Sequence, residues 1–513
     1  MTADIITTPS TSPNFRTELA AQLAELLPEV VADGQIDVVK LVELLGDDSA
    51  DASERFGLFW PGKKKALRAA QKPTTATLRP DFDGSRDWDT TKNVFIEGDN
   101  LEVLKILQRH YHGRIKMIYI DPPYNTGKDF VYPDNYKEGL DTYLEWTRQV
   151  NEEGKRVSTN SDTEGRYHSN WLNMMYPRLK LARNLLTDDG IICISIDDNE
   201  IDNLRKLCNE VFGETNFVAC LVWERAYAPK NDAKYVSNSH DYVIVYARKI
   251  DSFQIGRLPR TSASDSMYAN PDNDPRGLWR SDNLSVKSYS SANDYPITTP
   301  SGRVVKPPKG RCWRLSPKGF AERLADNRIW FGKDGNGVPA MKRFMSELKH
   351  DGLVPQSIMF YKDVGHSQEG AKEVTALLDS GAFDGPKPVR LLRRLLTLGN
   401  VQGNDIALDF FAGSGTTAHA VMQLNAEDGG HRKWILVQLP EPTPDGSPAR
   451  EAGYDTIAEI ARERIRRAGD KIKAEVTAQQ PSLDVVSTGS TTEQALSLSL
   501  SLSLSLSLKL IRT

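Results

Sequence analysis

The chain has 513 residues, of which 39% are hydrophobic and 26% charged, and its formal net charge is −4. That length exceeds one ordinary core and points to two or three domains of a soluble globular protein. The longest apolar runs are far shorter than a membrane span, and the overall charge does not advertise nucleic-acid binding.

The opening "MTADIITTPSTSPNF" has no basic start followed by an apolar run, so no secretory signal is expected there. The four cysteines, Cys193, Cys208, Cys220 and Cys312, form no CxxC pair. A disulfide framework or zinc site is therefore not expected, and a reducing cytoplasm fits. Residues 15–45 read as helices, with Leu23, Leu26 and Leu27 on one face. After a polar stretch, "NVFIEGDNLEVLKIL" gives a strand at 94–96, a turn at Gly98-Asp99-Asn100, and a helix. A strand at 115–120 follows, at the spacing of a parallel α/β unit. "WLNMMYPRLKLARNLL" reads as a helix interrupted by proline. "GIICISIDDNE" is a buried strand ending in acids, then come a helix at 200–211 and a strand at 241–249.

From about 251 to 385 the texture turns to Ser, Asn, Asp, Gly and Pro without a sustained period, as in a separate loop-rich insertion. Within it, residues 301–350 hold twelve Lys and Arg against four Asp and Glu, a local +8. That run is either a basic face for phosphates or a solvated loop. The α/β texture returns with a helix in "PKPVRLLRRLLTLG" and a strand, glycine turn and helix in "DIALDFFAGSGTTAHAVMQL". A strand in "KWILVQLPEP" and a charged helix from 456 to 475 complete it. Residues 496–508 alternate Leu and Ser without a break. Serine and leucine codons can alternate as a TC dinucleotide repeat. The tract is therefore read as a replication-slippage tract with 509–513 an out-of-frame ending, or else as a functionless tail.

Two motifs carry chemistry. Gly413, Gly415 and Ala418 fit G-x-G-x-x-G/A between a strand and a helix, where glycines admit a ligand to the backbone and the helix N-terminus welcomes an anion. Glu441 ends the next strand and suits ribose hydroxyls. Together they allow a nicotinamide dinucleotide or a nucleoside cofactor such as S-adenosylmethionine. The second motif is "KMIYIDPPYNTGKDFVY", in which a buried strand ends in Asp121-Pro122-Pro123-Tyr124. Prolines stiffen the turn. A carboxylate beside a proline carbonyl makes a clamp with two acceptors, suited to an NH2 group. Tyr124 can stack on the ring that bears the amine. None of the four cysteines follows a proline, so no Pro-Cys nucleophile motif is present. No G-x-x-x-x-G-K-[ST] loop is present to drive translocation.

"DPPY" followed by "FFAGSG" resembles the DNA amino-methyltransferases that use S-adenosylmethionine, in the permuted order of their beta class. "FWPGKKKA", "IEGDNLEVLK", "HSNWLNMMYPRLKLARNLL", "SIDDNE", "DNRIWFG", "PKPVRLL" and "TIAEIARERIRRAG" resemble the modification (Mod) subunits of type III restriction–modification systems, over about 56–475. The resemblance implies an α/β, Rossmann-like S-adenosylmethionine-dependent methyltransferase sheet with permuted motif order, an N-terminal helical region (1–75) and an inserted target-recognition domain (251–385). The catalytic parts would be 76–250 and 386–475, with a low-complexity tail at 476–513. It implies a cofactor pocket of Asp99 (adenine amine), Phe411, Gly413 and Gly415 (methionine part) and Glu441 (ribose), with Asp409 and Thr416 beside them. Asp121, Pro122, Pro123 and Tyr124 would hold a flipped-out base. Adenine N6 is the implied target, with cytosine N4 the alternative. The implied partners are double-stranded DNA, a separate restriction (Res) subunit and a second copy of the chain. Trp279, Trp313, Trp330 and Phe331 are candidates for base stacking, local packing being the simpler reading of each. A DNA-binding subunit without catalysis and a protein glutamine methyltransferase are rival readings. Intact Asp121, Tyr124, Gly413 and Gly415 oppose the first. The large insert and the Asp in place of Asn oppose the second.

Overall fold

The structure, a computed structural model, describes residues 20, 23, 31–32, 35–38, 41, 58–126, 167–229, 231, 233–348, 352–479 and 508–512. The chain divides into two compact units, Arg257–Pro355 and the remainder.

The larger unit is built on a ten-stranded sheet. In chain order its strands are β1 (Arg79–Arg86), β2 (Val94–Glu97), β3 (Ile115–Ile120), β4 (Leu186–Ile196), β5 (Phe217–Glu224), β6 (His240–Ala247), β7 (Ile358–Met359), β8 (Ile406–Asp409), β9 (Lys433–Gln438) and β10 (Leu508–Arg512). Their spatial order is β7-β5-β6-β4-β3-β8-β9-β2-β10-β1. From β4 through β3, β8, β9 and β2 to β10 every pairing is parallel, whereas β6 runs antiparallel to both neighbours. β3 has all six residues buried. A strand covered on both faces is apolar at nearly every position, which is why "IKMIYI" shows no alternation, and its one charged residue, Lys116, is paired with Asp189. Alternate residues still face opposite layers. Ile118 and Ile120 join the core shared with helices α2 (Asn100–Tyr111), α3 (Tyr167–Leu185) and α4 (Ile201–Phe212). The Met117 sulfur lies instead beside Gly399, at the end of α6 (Val389–Leu398).

Local sequence explains these elements. Asp99 caps α2, its carboxylate accepting from Leu101 N and Glu102 N at 2.9 and 3.1 Å, an arrangement worth about 1 kcal/mol. In α6, Leu391, Leu392, Leu395, Leu396 and Leu398 are buried on one stripe. α3 runs through Pro177 unbroken, so the expected interruption is absent. The buried Arg178 donates to the Met174 carbonyl at 2.7 Å within the turn that contains this proline. α1 (Lys63–Gln71) packs on α3. α5 (Ser367–Leu378) and α7 (Thr416–Asp428) each pack on α8 (Ile457–Gln479).

Three further expectations change. Where helices were expected across 15–45, Val31–Ala32 pairs with Gln35–Ile36 as an antiparallel hairpin, and most of that segment lies outside the described residues. The α/β texture was expected to return at 386, whereas the larger unit resumes at 356 and includes β7 and α5. The tail is not featureless at its end. β10 pairs with both β2 and β1, and Leu510 is fully buried. The Ser-Leu repeat itself, save Leu508, lies outside the described residues.

The smaller unit holds an antiparallel sheet of Trp279–Asn283, Ala340–Phe344 and Ile329–Trp330, with two further strand pairs. Its core gathers Leu284, Ile297, Val305, Trp313, Phe320, Ile329, Phe331 and Met341. Trp279, Trp313 and Phe331 are thus packing residues, and Trp330 sits edge-on to Trp279. Lys342 is wholly buried and pairs with Asp272 and, at 3.1 Å, Asp274.

Candidate active site

In open parallel sheets, ligands bind beyond the carboxyl ends of the strands, where strand order reverses. Here β8 lies between β3, which leads outward to β4, and β9. Asp121 follows the end of β3 and Asp409 ends β8, so the two chemical motifs, 288 positions apart in the chain, leave the sheet side by side.

The DPPY turn is held from behind. Trp171 of α3 donates to the Pro123 carbonyl at 2.7 Å. Asn125, in the left-handed region at φ 61, donates to the buried Glu200 at 2.5 Å. That leaves the front of the turn for a ligand. Tyr124 Oη donates to Asp121 Oδ1 at 3.0 Å, fixing the carboxylate and the ring relative to each other. Among the described residues no group donates to the Pro122 carbonyl. The second carboxylate oxygen of Asp121 accepts from Lys387 Nζ at 2.5 Å. The Lys387 ammonium also lies 5.2 Å from the centre of the Tyr124 ring and 5.8 Å from that of Trp223.

The glycine loop follows β8. Asp409 accepts from Phe411 N at 3.1 Å and from Thr417 Oγ1 at 2.6 Å, and burial pushes its carboxyl up to about 7. Gly413 and Gly415 have φ of +52° and +79°, where a side chain is strained. A Cβ on Gly413 would meet the Phe383 ring at 3.2 Å, and one on Gly415 would meet Ile465 at 3.1 Å. Gly413 N donates to Gln438 Oε1 at 2.7 Å. The buried Arg464 donates to Ser414 Oγ and Thr416 Oγ1, both at 2.6 Å, and burial pushes its guanidinium down to about 10, so it stays charged at neutral pH. Glu441 is half-buried beyond β9. Burial raises its carboxyl above the usual range, and no described group pairs with it. A tight cradle at a helix N-terminus with an unpartnered acid just beyond the next strand suits a nucleoside-bearing amino acid such as S-adenosylmethionine.

Of the expected site residues, Asp121, Pro122, Pro123 and Tyr124 converge on one turn. Asp409, Phe411, Gly413, Gly415 and Thr416 converge on the neighbouring loop. Asp99 has a structural task. One of its oxygens caps α2 and the other lies 3.6 Å from Arg178. Sequence reasoning missed Asn100, which donates to the Phe410 carbonyl at 2.8 Å and accepts from Arg178 at 2.6 Å, tying "GDN" to "FFAG". It also missed Lys387. The signal was there, since a lysine between two prolines is held on an unusually stiff backbone.

The family described as DNA methylase matches this chain over residues 115–462. The type III restriction-modification enzyme StyLTI Mod subunit of Salmonella typhimurium is 37% identical over 483 residues, spanning 91% of this chain and 72% of that protein. The EcoPI Mod subunit of Escherichia phage P1 is 34% identical, spanning 84% and 71%. Among solved structures, the cytosine-N4-specific PvuII DNA methyltransferase is similar at 13% identity and a TM-score of 0.35, over 74% of this chain and 94% of that one.

Proposed function

Because the chain belongs to the DNA methylase family, and within it to the modification subunits of type III restriction–modification enzymes, we propose a division of labour for its transfer of a methyl group to the N6 amine of adenine in DNA. The turn after β3 holds the base, and the loop after β8 holds the methyl donor. The observation that supports this most is the adjacency of those two carboxyl ends, with Tyr124 Oη fixed on Asp121.

Bound S-adenosylmethionine supplies an activated methyl group on a sulfonium. The chain's own residues do the rest. A base inside a duplex cannot reach a pocket beyond the strand ends, so it must be flipped out. Tyr124 offers a ring face to the flipped base. Asp121 and the open Pro122 carbonyl accept the two N–H groups of its amine. Those hydrogen bonds draw the nitrogen lone pair out of conjugation and aim it at the methyl carbon. They also place a carboxylate beside the nitrogen as positive charge grows there. The methyl's bond to sulfur would break as its bond to nitrogen forms, leaving a neutral thioether, and the methylated nitrogen would then lose one proton to solvent. No covalent enzyme intermediate is required.

Arg257–Pro355 would read the target sequence. DNA cleavage would come from a separate Res subunit, with this chain working as a pair. Asp121→Ala tests the assignment. Methylation should fall by about 10²–10³-fold, the scale of losing one preorganised group facing developing charge, while calorimetric affinity for S-adenosylmethionine holds. Mass spectrometry of nucleosides from wild-type product should show N6-methyladenine. N4-methylcytosine instead would refute the base assignment, and an equal loss of cofactor affinity in the variant would refute the role of Asp121.

A further inference from the structure

Lys387 stands where the reaction does not want a cation. Its ammonium is 2.5 Å from Asp121 Oδ2, and the side chain is only 10% exposed. Methyl transfer builds positive charge on an amine bound to that same carboxylate. A second cation on Asp121 would oppose that charge. The carboxylate has lone pairs enough for Lys387, Tyr124 and an amine together, so it is charge rather than crowding that sets the conflict.

The surroundings offer the ammonium a second position. It lies against the faces of Tyr124 and Trp223, which attract cations. Asp241 is the ladder partner of Trp223, and is itself nearly buried. Burial raises the Asp241 carboxyl to about 6, Arg225 and Lys387 draw it down, and Asp121 and Asp197 push it up, so Asp241 and Lys387 feel each other's charge. Arg225 lies 3.0 Å from Asp241 Oδ1. The backbone of Lys387 is anchored between Pro386 and Pro388, and its carbonyl accepts from Thr416 Oγ1 of the cofactor loop at 3.3 Å. Only the side chain is therefore free to move.

We propose that Lys387 is an exchange cation of the target pocket: it neutralises Asp121 while the pocket is empty and transfers toward Asp241 when the amine of a flipped base enters. It is a positioning residue, acting on the base through Asp121. The idea rests on the reading of Asp121 as the base clamp.

The test uses the full chain, S-adenosylmethionine and duplex DNA with 2-aminopurine at the target position as a fluorescent reporter of flipping. Lys387→Met removes the competitor. Flipping should rise and KM for DNA should fall several-fold, with kcat retained. Lys387→Arg gives Asp121 a cation that binds it in two-pronged fashion and leaves less readily, so flipping should fall and KM rise. Asp241→Asn removes the receiving carboxylate and should act like Lys387→Arg. Lys387→Met added to Asp241→Asn should then restore flipping. A fixed anchoring role predicts the reverse for Lys387→Met, a lower kcat with no gain in flipping, and that result would overturn the proposal. Failure of the double variant to rescue would overturn it too, because damage to packing at Asp241 would persist. Asp121→Ala run alongside separates the two readings. If that variant stays active, the base-clamp reading itself fails. If it is inactive while neither Lys387 variant shifts flipping or KM, only the exchange fails.

Discussion

The two compact units handle charge in opposite ways. Arg257–Pro355 holds seventeen Lys and Arg against ten Asp and Glu, a net +7, which leaves −11 for the rest of the chain. In the larger unit the acids that matter are few and lie at or just beyond strand ends, buried at Asp409 and half-buried at Asp121 and Glu441. In the smaller unit much of the basic character is neutralised internally. Of the twelve cations in 301–350, Arg314 and Arg343 share Asp282, Arg328 is held by Asp326 and Glu347, and Lys342 by Asp272 and Asp274. Three of those acids precede the window that showed +8. The exposed remainder includes Lys306, Lys309, Lys318 and Lys333. A basic stretch in sequence is thus two populations in space, one paired within the fold and one exposed.

The sharpest way to break this contrast is to exchange residues 257–355 with those of a relative. The hybrid should methylate the relative's target sequence, read by sequencing the modified DNA; a hybrid that keeps the parent's site would place recognition in the larger unit. Next in size is Gly413→Val. A β-branched side chain at φ +52° against Phe383 costs about 1–3 kcal/mol, which corresponds to roughly 5–150-fold in S-adenosylmethionine affinity if the loop moves to relieve it. Calorimetry that shows unchanged affinity would remove the loop from the cofactor pocket. Smaller again is a pH effect. Asp409 titrates near 7. Above that it is an anion and below it neutral, and a cationic cofactor prefers the anion. Affinity should therefore weaken as pH falls from about 8 to about 6, by at most about tenfold per pH unit, and Asp409→Asn should flatten the curve. A flat wild-type curve would mean that Asp409 keeps one charge state throughout. The smallest effect is on salt dependence. Neutralising Lys306, Lys309, Lys318 and Lys333 should reduce the slope of log affinity against log salt by about 0.9 for each phosphate that is no longer neutralised. Lys342→Met should leave the slope alone while lowering stability by about 3–5 kcal/mol, the cost of stranding buried carboxylates. If the two sets behaved alike, the division of the cations would be wrong.

What could be read from the sequence was local. A four-residue apolar run, Met117 to Ile120, ending in an acid and two prolines announces a strand end with a purpose. Two glycines ahead of "TTAHAVMQL" announce a helix N-terminus open to a ligand. What stayed hidden was joined only by folding. Lys387 and Asp121 are 266 positions apart, and Arg464 reaches back 50 and 48 positions to Ser414 and Thr416. Such pairs leave no periodic trace. Asp99 was ambiguous for a different reason. An acid opening a helix can bind a ligand or cap the helix, and the residue type is the same for both.

The strand β10 has a consequence for how the protein is made. It lies between β2 and β1, yet it is translated more than 400 residues after either. A nascent chain can fold its early segments as they leave the ribosome. This sheet, however, cannot be filled between β1 and β2 until residues 508–512 have emerged. Until then β2 presents a bare edge, with Phe95 and Ile96 lacking the cover that Leu510 and Ile511 later provide. Bare edges recruit other strands. Throughout the interval between synthesis of β2 and arrival of β10, that edge is open to pairing with other strands. Slowing translation across the Ser-Leu tract would lengthen that interval without altering a single residue of the finished protein.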